Sequence, residues 1–92
     1  MTSRYTDEWR NDWDSDDERK MQDLLRKYRT LQVQSLLSLG VEMDEIEQEM
    51  RIWLWRAKRR YDPAMSGYDT WLAVQCSYGL SEIKRKYLKG RL

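Results

Sequence analysis

Three helical stripes organise this chain. From about Glu18 to Leu39, positions Met21, Leu24, Leu25, Tyr28, Leu31, Ser35, Leu36 and Leu39 follow the i, i+3, i+4, i+7 rhythm of an amphipathic helix. Gly40 ends that helix at the position where a left-handed residue is favoured. A second helix begins where Asp44 is placed to accept from first-turn N–H groups while Glu47 reaches back, the capping-box pattern. Its stripe is Ile46, Met50, Trp53, Leu54, Ala57 and Tyr61. Asp62-Pro63 stops it, because the residue before proline is pushed out of the helical region. After the turn "AMSGY", a third helix runs from near Asp69 to about Lys89 with Trp71, Leu72, Cys76, Leu80, Ile83 and Tyr87 on or near one stripe. Gly79 weakens it by roughly 1 kcal/mol relative to alanine, so a bend or break is expected there. No segment alternates with the period of a strand. The pattern predicts a small all-α bundle of three helices, or four.

The first residues break this rhythm. "TDEWRNDWDSDDE" is acidic and lacks a helical apolar period, so residues 1–17 are expected to be a mobile, disordered acidic arm and residues 18–92 a helical domain. Trp9 and Trp13 are unusual in such an arm; they either cap the core from outside or contact a partner.

At 92 residues the chain supports one domain with a thin core. No apolar run approaches the roughly 20 residues of a membrane span, and the N-terminus is too charged for a signal peptide, so a cytoplasmic protein is expected. With no histidine and the single Cys76, zinc spacings and Cys-His or Ser-His dyads cannot be assembled. The expectation is a non-enzyme with no cofactor, no metal and no small-molecule substrate.

The net charge of +1 hides an asymmetry. Asp7, Glu8, Asp12, Asp14, Asp16, Asp17 and Glu18 face only Arg4 and Arg10 in residues 1–18, a net of −5 that leaves +6 for the rest. Most of the excess lies in Arg56, Lys58, Arg59 and Arg60, then in Lys84, Arg85, Lys86, Lys89 and Arg91. Either these runs are solvated helix faces or they await an anionic partner.

Helical geometry separates the two tryptophans of "EQEMRIWLWRAKRRYDP". Trp53 falls on the core stripe, and Trp55 lies about 200° around the axis, on a side shared with Glu45, Gln48, Ile52 and Arg59. That mixture of carboxylate, amide, isoleucine and indole suits a protein-binding face with an aromatic anchor. Packing of Trp55 under the acidic arm, or of the helix on a lipid surface, are the other readings.

The run "LLRKYRTLQVQSLLSLGVEMDEIEQEMRIWLWRAKRRYDP…GYDTWLA" resembles region 2 of the bacterial sigma factors, over about Leu24 to Arg85. Its most specific part, "DEIEQEMRIWLWRAKRRYDP", is similar to the family's acidic residue, aliphatic, Gln-Glu, hydrophobic-basic helix and aromatic before Asp-Pro. The resemblance implies docking on the coiled coil of the bacterial RNA polymerase clamp through Glu45, Gln48, Glu49, Arg51 and Trp55, with Ile52 on the same face. It also implies that "YDTWL" opens a DNA-facing helix. Where primary sigma factors carry two adjacent tryptophans that wedge the duplex, this chain has Val74 and Gln75. The remaining candidates for promoter DNA are Tyr68, Trp71, Gln75 and Tyr78, with Arg59, Arg60, Lys84, Arg85 and Lys86 for phosphates.

Ordinary sigma factors continue into a second promoter-binding domain, so a separate sigma-like or co-activator subunit is expected to supply it, as in phage-type factors. The acidic arm would then shield the basic body from DNA. Two other functions stay open: a sigma mimic that occupies the clamp without reading DNA, and a small helical DNA-binding or scaffold protein.

Overall fold

The computed structural model describes residues 13–91, and these are all-α. Helix α1 spans Ser15–Asp23 and runs into a five-residue π-helical segment, Leu24–Tyr28; α2 spans Thr30–Ser38, α3 Met43–Lys58 and α4 Tyr68–Arg91. The core gathers on α3, which is packed by α1, α2 and α4. Met21 reaches it from α1, Leu25 from the π-helical segment, Val33 and Leu36 from α2, Val41 from the turn after it, Ile46, Met50 and Leu54 from α3, and Leu72, Cys76, Leu80 and Ile83 from α4.

The α2 terminus forms as its residues require. Gly40 has φ 90°, the Val41 N–H donates to the Leu36 carbonyl at 3.1 Å and the Gly40 N–H donates to Leu37 at 3.0 Å. This is a Schellman motif, with the buried pair Leu36 and Val41 as its apolar contact.

Four expectations change. Residues 1–12 of the arm lie outside the described residues, but residues 13–17 are ordered. Trp13 is buried, and Asp14 caps α1 by accepting from the Asp17 N–H at 2.8 Å while the Asp17 carboxylate accepts from the Asp14 N–H at 3.2 Å. The capping box therefore sits here, and not at Asp44 and Glu47. Helix α3 starts at Met43 after Glu42, with no side-chain cap, and Glu47 is instead buried, accepting from Arg26 of the π-helical segment at 3.0 Å.

The long first helix is also interrupted. The Arg29 N–H donates to the Leu24 carbonyl, a five-residue step, and Arg29 leaves helical geometry at φ −114°, ψ 32°. The extra residue rotates everything after it. Tyr28 and Leu31, expected in the core, are 72% and 82% exposed, and Val33 takes the inward position. The Arg29 guanidinium donates to the Ala73 carbonyl of α4 at 3.2 Å, which ties the break to its neighbour.

Helix α4 runs unbroken through Gly79. A Cβ there would stand 2.8 Å from Met50 Sδ and 2.9 Å from Trp53 Cδ1, so the missing side chain is what lets α4 close on α3. Gly79→Ala should therefore destabilise the fold by about 1–3 kcal/mol, despite alanine's better helix propensity. Gly90, with nothing within 4 Å of a built Cβ, is the control: Gly90→Ala should be neutral or mildly stabilising. Urea unfolding of both variants checks this, and equal midpoints would mean that the helices do not meet at Gly79.

Candidate docking and nucleic-acid surface

Helix α3 carries both tryptophans, and its neighbours decide their roles. Trp53 is half-buried against Gly79 on the α4 side. Trp55 is 2% exposed, with the Arg59 guanidinium 4.6 Å from its ring. The expected exposed anchor is thus a core residue. A helix packed on one side has a free opposite face, but α3 is packed on several sides, and α1 crosses the flank that carries Trp55.

That crossing is polar. The Arg51 guanidinium donates to both Glu18 oxygens at 2.7 and 2.5 Å, and Lys58 donates to Asp17 at 2.6 Å. The Tyr68 hydroxyl donates to the other Asp17 oxygen at 2.5 Å, Trp13 Nε1 to Glu18 at 2.9 Å, and Lys20 to Asp69 at 2.9 Å. Arg51 is therefore engaged inside the chain and not presented to a partner. Its bonds hold the Glu18 carboxyl below its ordinary 4.5. Burial pushes the Asp17 carboxyl up, yet the bonds from Lys58, Tyr68 and the Asp14 N–H outweigh it and hold Asp17 below 3.8.

The other candidates for clamp binding lie beside that flank and toward α4. Glu45 and Gln48 are exposed, and Glu49 and Ile52 are part-buried. Tyr87 donates to Glu45 at 2.7 Å, Lys86 to Glu49 at 3.2 Å, and Arg51 to Gln48 at 2.9 Å. Arg56, which the sequence reading placed only in a basic run, is exposed one turn beyond Ile52.

The candidates for DNA divide similarly. Tyr68 and Trp71 belong to an internal aromatic cluster: their rings stack at 5.5 Å, and Tyr61 approaches them at 5.5 and 5.0 Å. Tyr68, bonded to Asp17 and held above its ordinary pKa by burial and that bond, is not a free stacking platform. Tyr78 is 59% exposed, and Lys84, Arg85 and Lys86 are exposed along the second half of α4, with Arg85 paired to Glu82 and Lys86 to Glu49. Arg59 and Arg60 are exposed at the end of α3.

Between α3 and α4 a cleft of about 470 Å³ brings the two sets together. Glu49 and Ile52 line it with Arg60, Trp71 and Gln75, and the walls include Trp53, Arg56 and Ala57. Trp53 was legible only as core; its second role comes from the edge of the interhelical contact.

Among the described residues no group of His, Cys, Asp or Glu could hold a metal, and no helix is long and apolar enough to cross a membrane. Cys76 is buried and its thiol is pushed up to about 12 by that burial, which removes it as a nucleophile at neutral pH. No protein-family model, curated protein or solved structure matches the chain.

The depressed carboxyls at the α1 crossing have a definite sign in stability. Their contribution is fully present above the ordinary values of 3.8 and 4.5 and is lost as pH falls through the lower folded-state values. Asp17→Asn with Glu18→Gln should cost about 1–3 kcal/mol at neutral pH and flatten the decline of stability below about pH 4.5. Urea midpoints measured across that range check it; a parallel decline in both proteins would mean that these bonds do not form.

Proposed function

We propose that this chain is a sigma-like subunit that docks on the coiled coil of the bacterial RNA polymerase clamp through the outer side of α3 and redirects initiation. The observation that supports it is a stripe. Glu45, Gln48, Ile52, Arg56 and Arg59 recur at spacings of 3, 4, 4 and 3, the pattern of a helix that lies along another helix. Glu45, Gln48, Arg56 and Arg59 are exposed and Ile52 part-exposed, although α3 is packed by three other helices. One aliphatic residue among polar groups suits a reversible interface better than a core. The sigma resemblance assigns the same helix, and the exposed basic half of α4 would lie beside promoter DNA.

One observation favours a second reading, the clamp-occupying mimic. Tyr68 and Trp71 are committed to an internal aromatic cluster, and Val74 and Gln75 stand where primary sigma factors carry their wedge. Strand opening then has few aromatics to use.

Trp55→Ala is not the diagnostic substitution, because it would open the core. Gln48→Ala with Ile52→Asp should weaken capture of core RNA polymerase at least about tenfold, with helicity kept. Capture unchanged from wild type would remove the docking reading. Lys84→Gln, Arg85→Gln and Lys86→Gln together should abolish promoter-specific transcription in the sigma reading. In the mimic reading they should leave the effect on host polymerase as it is.

A further inference from the structure

Arg51, Trp55 and Lys58 lie on successive turns along one flank of α3. Consecutive residues of α1 hold the outer two, Glu18 on Arg51 and Asp17 on Lys58. Helix α1 therefore crosses α3 at the level of Trp55. Resting on the docking reading above, we propose that Trp13–Lys20 is a latch that swings off α3 about Met21, and that its release adds Arg51 and Trp55 to the docking stripe.

Three features support this. The fastenings are polar: Glu18 to Arg51, Asp17 to Lys58 and Tyr68, and Lys20 to Asp69. Opening returns those groups to water, which solvates them well, and its apolar cost is the exposure of the Trp13 and Trp55 indoles. Trp13 is the buried apolar residue of the segment, and Met21, fully buried one residue past it, supplies the pivot. Finally, Arg51 and Trp55 border Gln48 and Ile52 on the helix surface, so an opened latch leaves one continuous face carrying an indole and a guanidinium, the residue types that dominate interface energetics. The latch differs from a shield over the DNA-facing charges, because what it covers belongs to α3.

Two variants test it together. Asp17→Asn with Glu18→Gln loosens the latch without touching the docking residues. Asp17→Cys with Lys58→Cys, bridged by a two-carbon bismaleimide, holds it shut; the buried Cys76 stays out of the reaction. In the loosened protein, amide exchange over residues 18–22 should rise at least about tenfold more than over residues 72–83 of α4, whose protection falls only with the global stability. Affinity for core RNA polymerase should rise about fivefold or more, and the bridged protein should bind at least about tenfold more weakly than its unbridged form. Exchange that rises equally in α1 and α4 would overturn the latch, since α1 would then be part of the cooperative core. A bridged protein that binds as well as the unbridged one would also overturn it. If no form binds core polymerase, the docking reading falls, and the exchange pattern alone decides whether α1 opens independently.

Discussion

The close approach of α4 to α3 at Gly79 governs the arrangement of the outer surface. Met50 and Trp53 occupy the space a side chain would need, so these α3 side chains pack directly on the α4 backbone there. The Trp53 indole N–H is buried with no hydrogen-bond partner among the described residues, so packing holds the ring in place, at some cost. With Trp53 fixed toward α4, Trp55 is turned about 200° away toward the flank that α1 crosses. The α3–α4 cleft and the burial of Trp55 thus follow from one contact.

A thin core leaves α1 to be placed largely by polar groups. Asp17 is 4% exposed, and a buried carboxylate is unfavourable unless its oxygens are satisfied. Lys58, Tyr68 and the Asp14 N–H satisfy them. Such an arrangement adds little net stability over an apolar contact of the same shape, but it penalises any other register, because a slip of α1 by one residue would separate Asp17 from Lys58 and Glu18 from Arg51 together. The polar crossing therefore specifies where α1 lies more than it strengthens the fold.

Where one periodicity held from end to end, the sequence was readable. Helix α4 is such a case: Leu72, Cys76, Leu80 and Ile83 are buried as their spacing predicts, because an unbroken helix carries one stripe past α3, α2 and the π-helical segment alike. The first helix fails this test at Leu24–Tyr28, where one π step rotates the stripe and turns Tyr28 and Leu31 outward. No residue type in "LLRKY" announces that step; it becomes visible only when Arg29 is seen bonded to Ala73 of α4. The capping box failed for a local reason, since Asp44 and Asp14 carry the same signal and only the path of the chain decides which one forms. Trp55 failed for a third reason. A helical wheel assumes one buried side, and α3 has several. Gln48 is exposed while Ile52 is part-buried at the α3–α4 cleft, a difference the wheel does not reveal.

The ionic contacts around α3 differ in how readily they give way. Lys86 is 65% exposed and Glu49 36%, so their pair is screened and contributes at most about 1 kcal/mol. Tyr87 on Glu45 is likewise exposed. Arg51 and Glu18 are only 19% and 25% exposed, and Asp17 beneath Lys58 only 6%, so those pairs are less screened and stronger than the exposed ones while they stay closed. The contacts from α4 therefore give way more readily than those from α1. The accessible stripe and the covered flank thus present two thresholds on one helix, separated by the difference between exposed and part-buried charge.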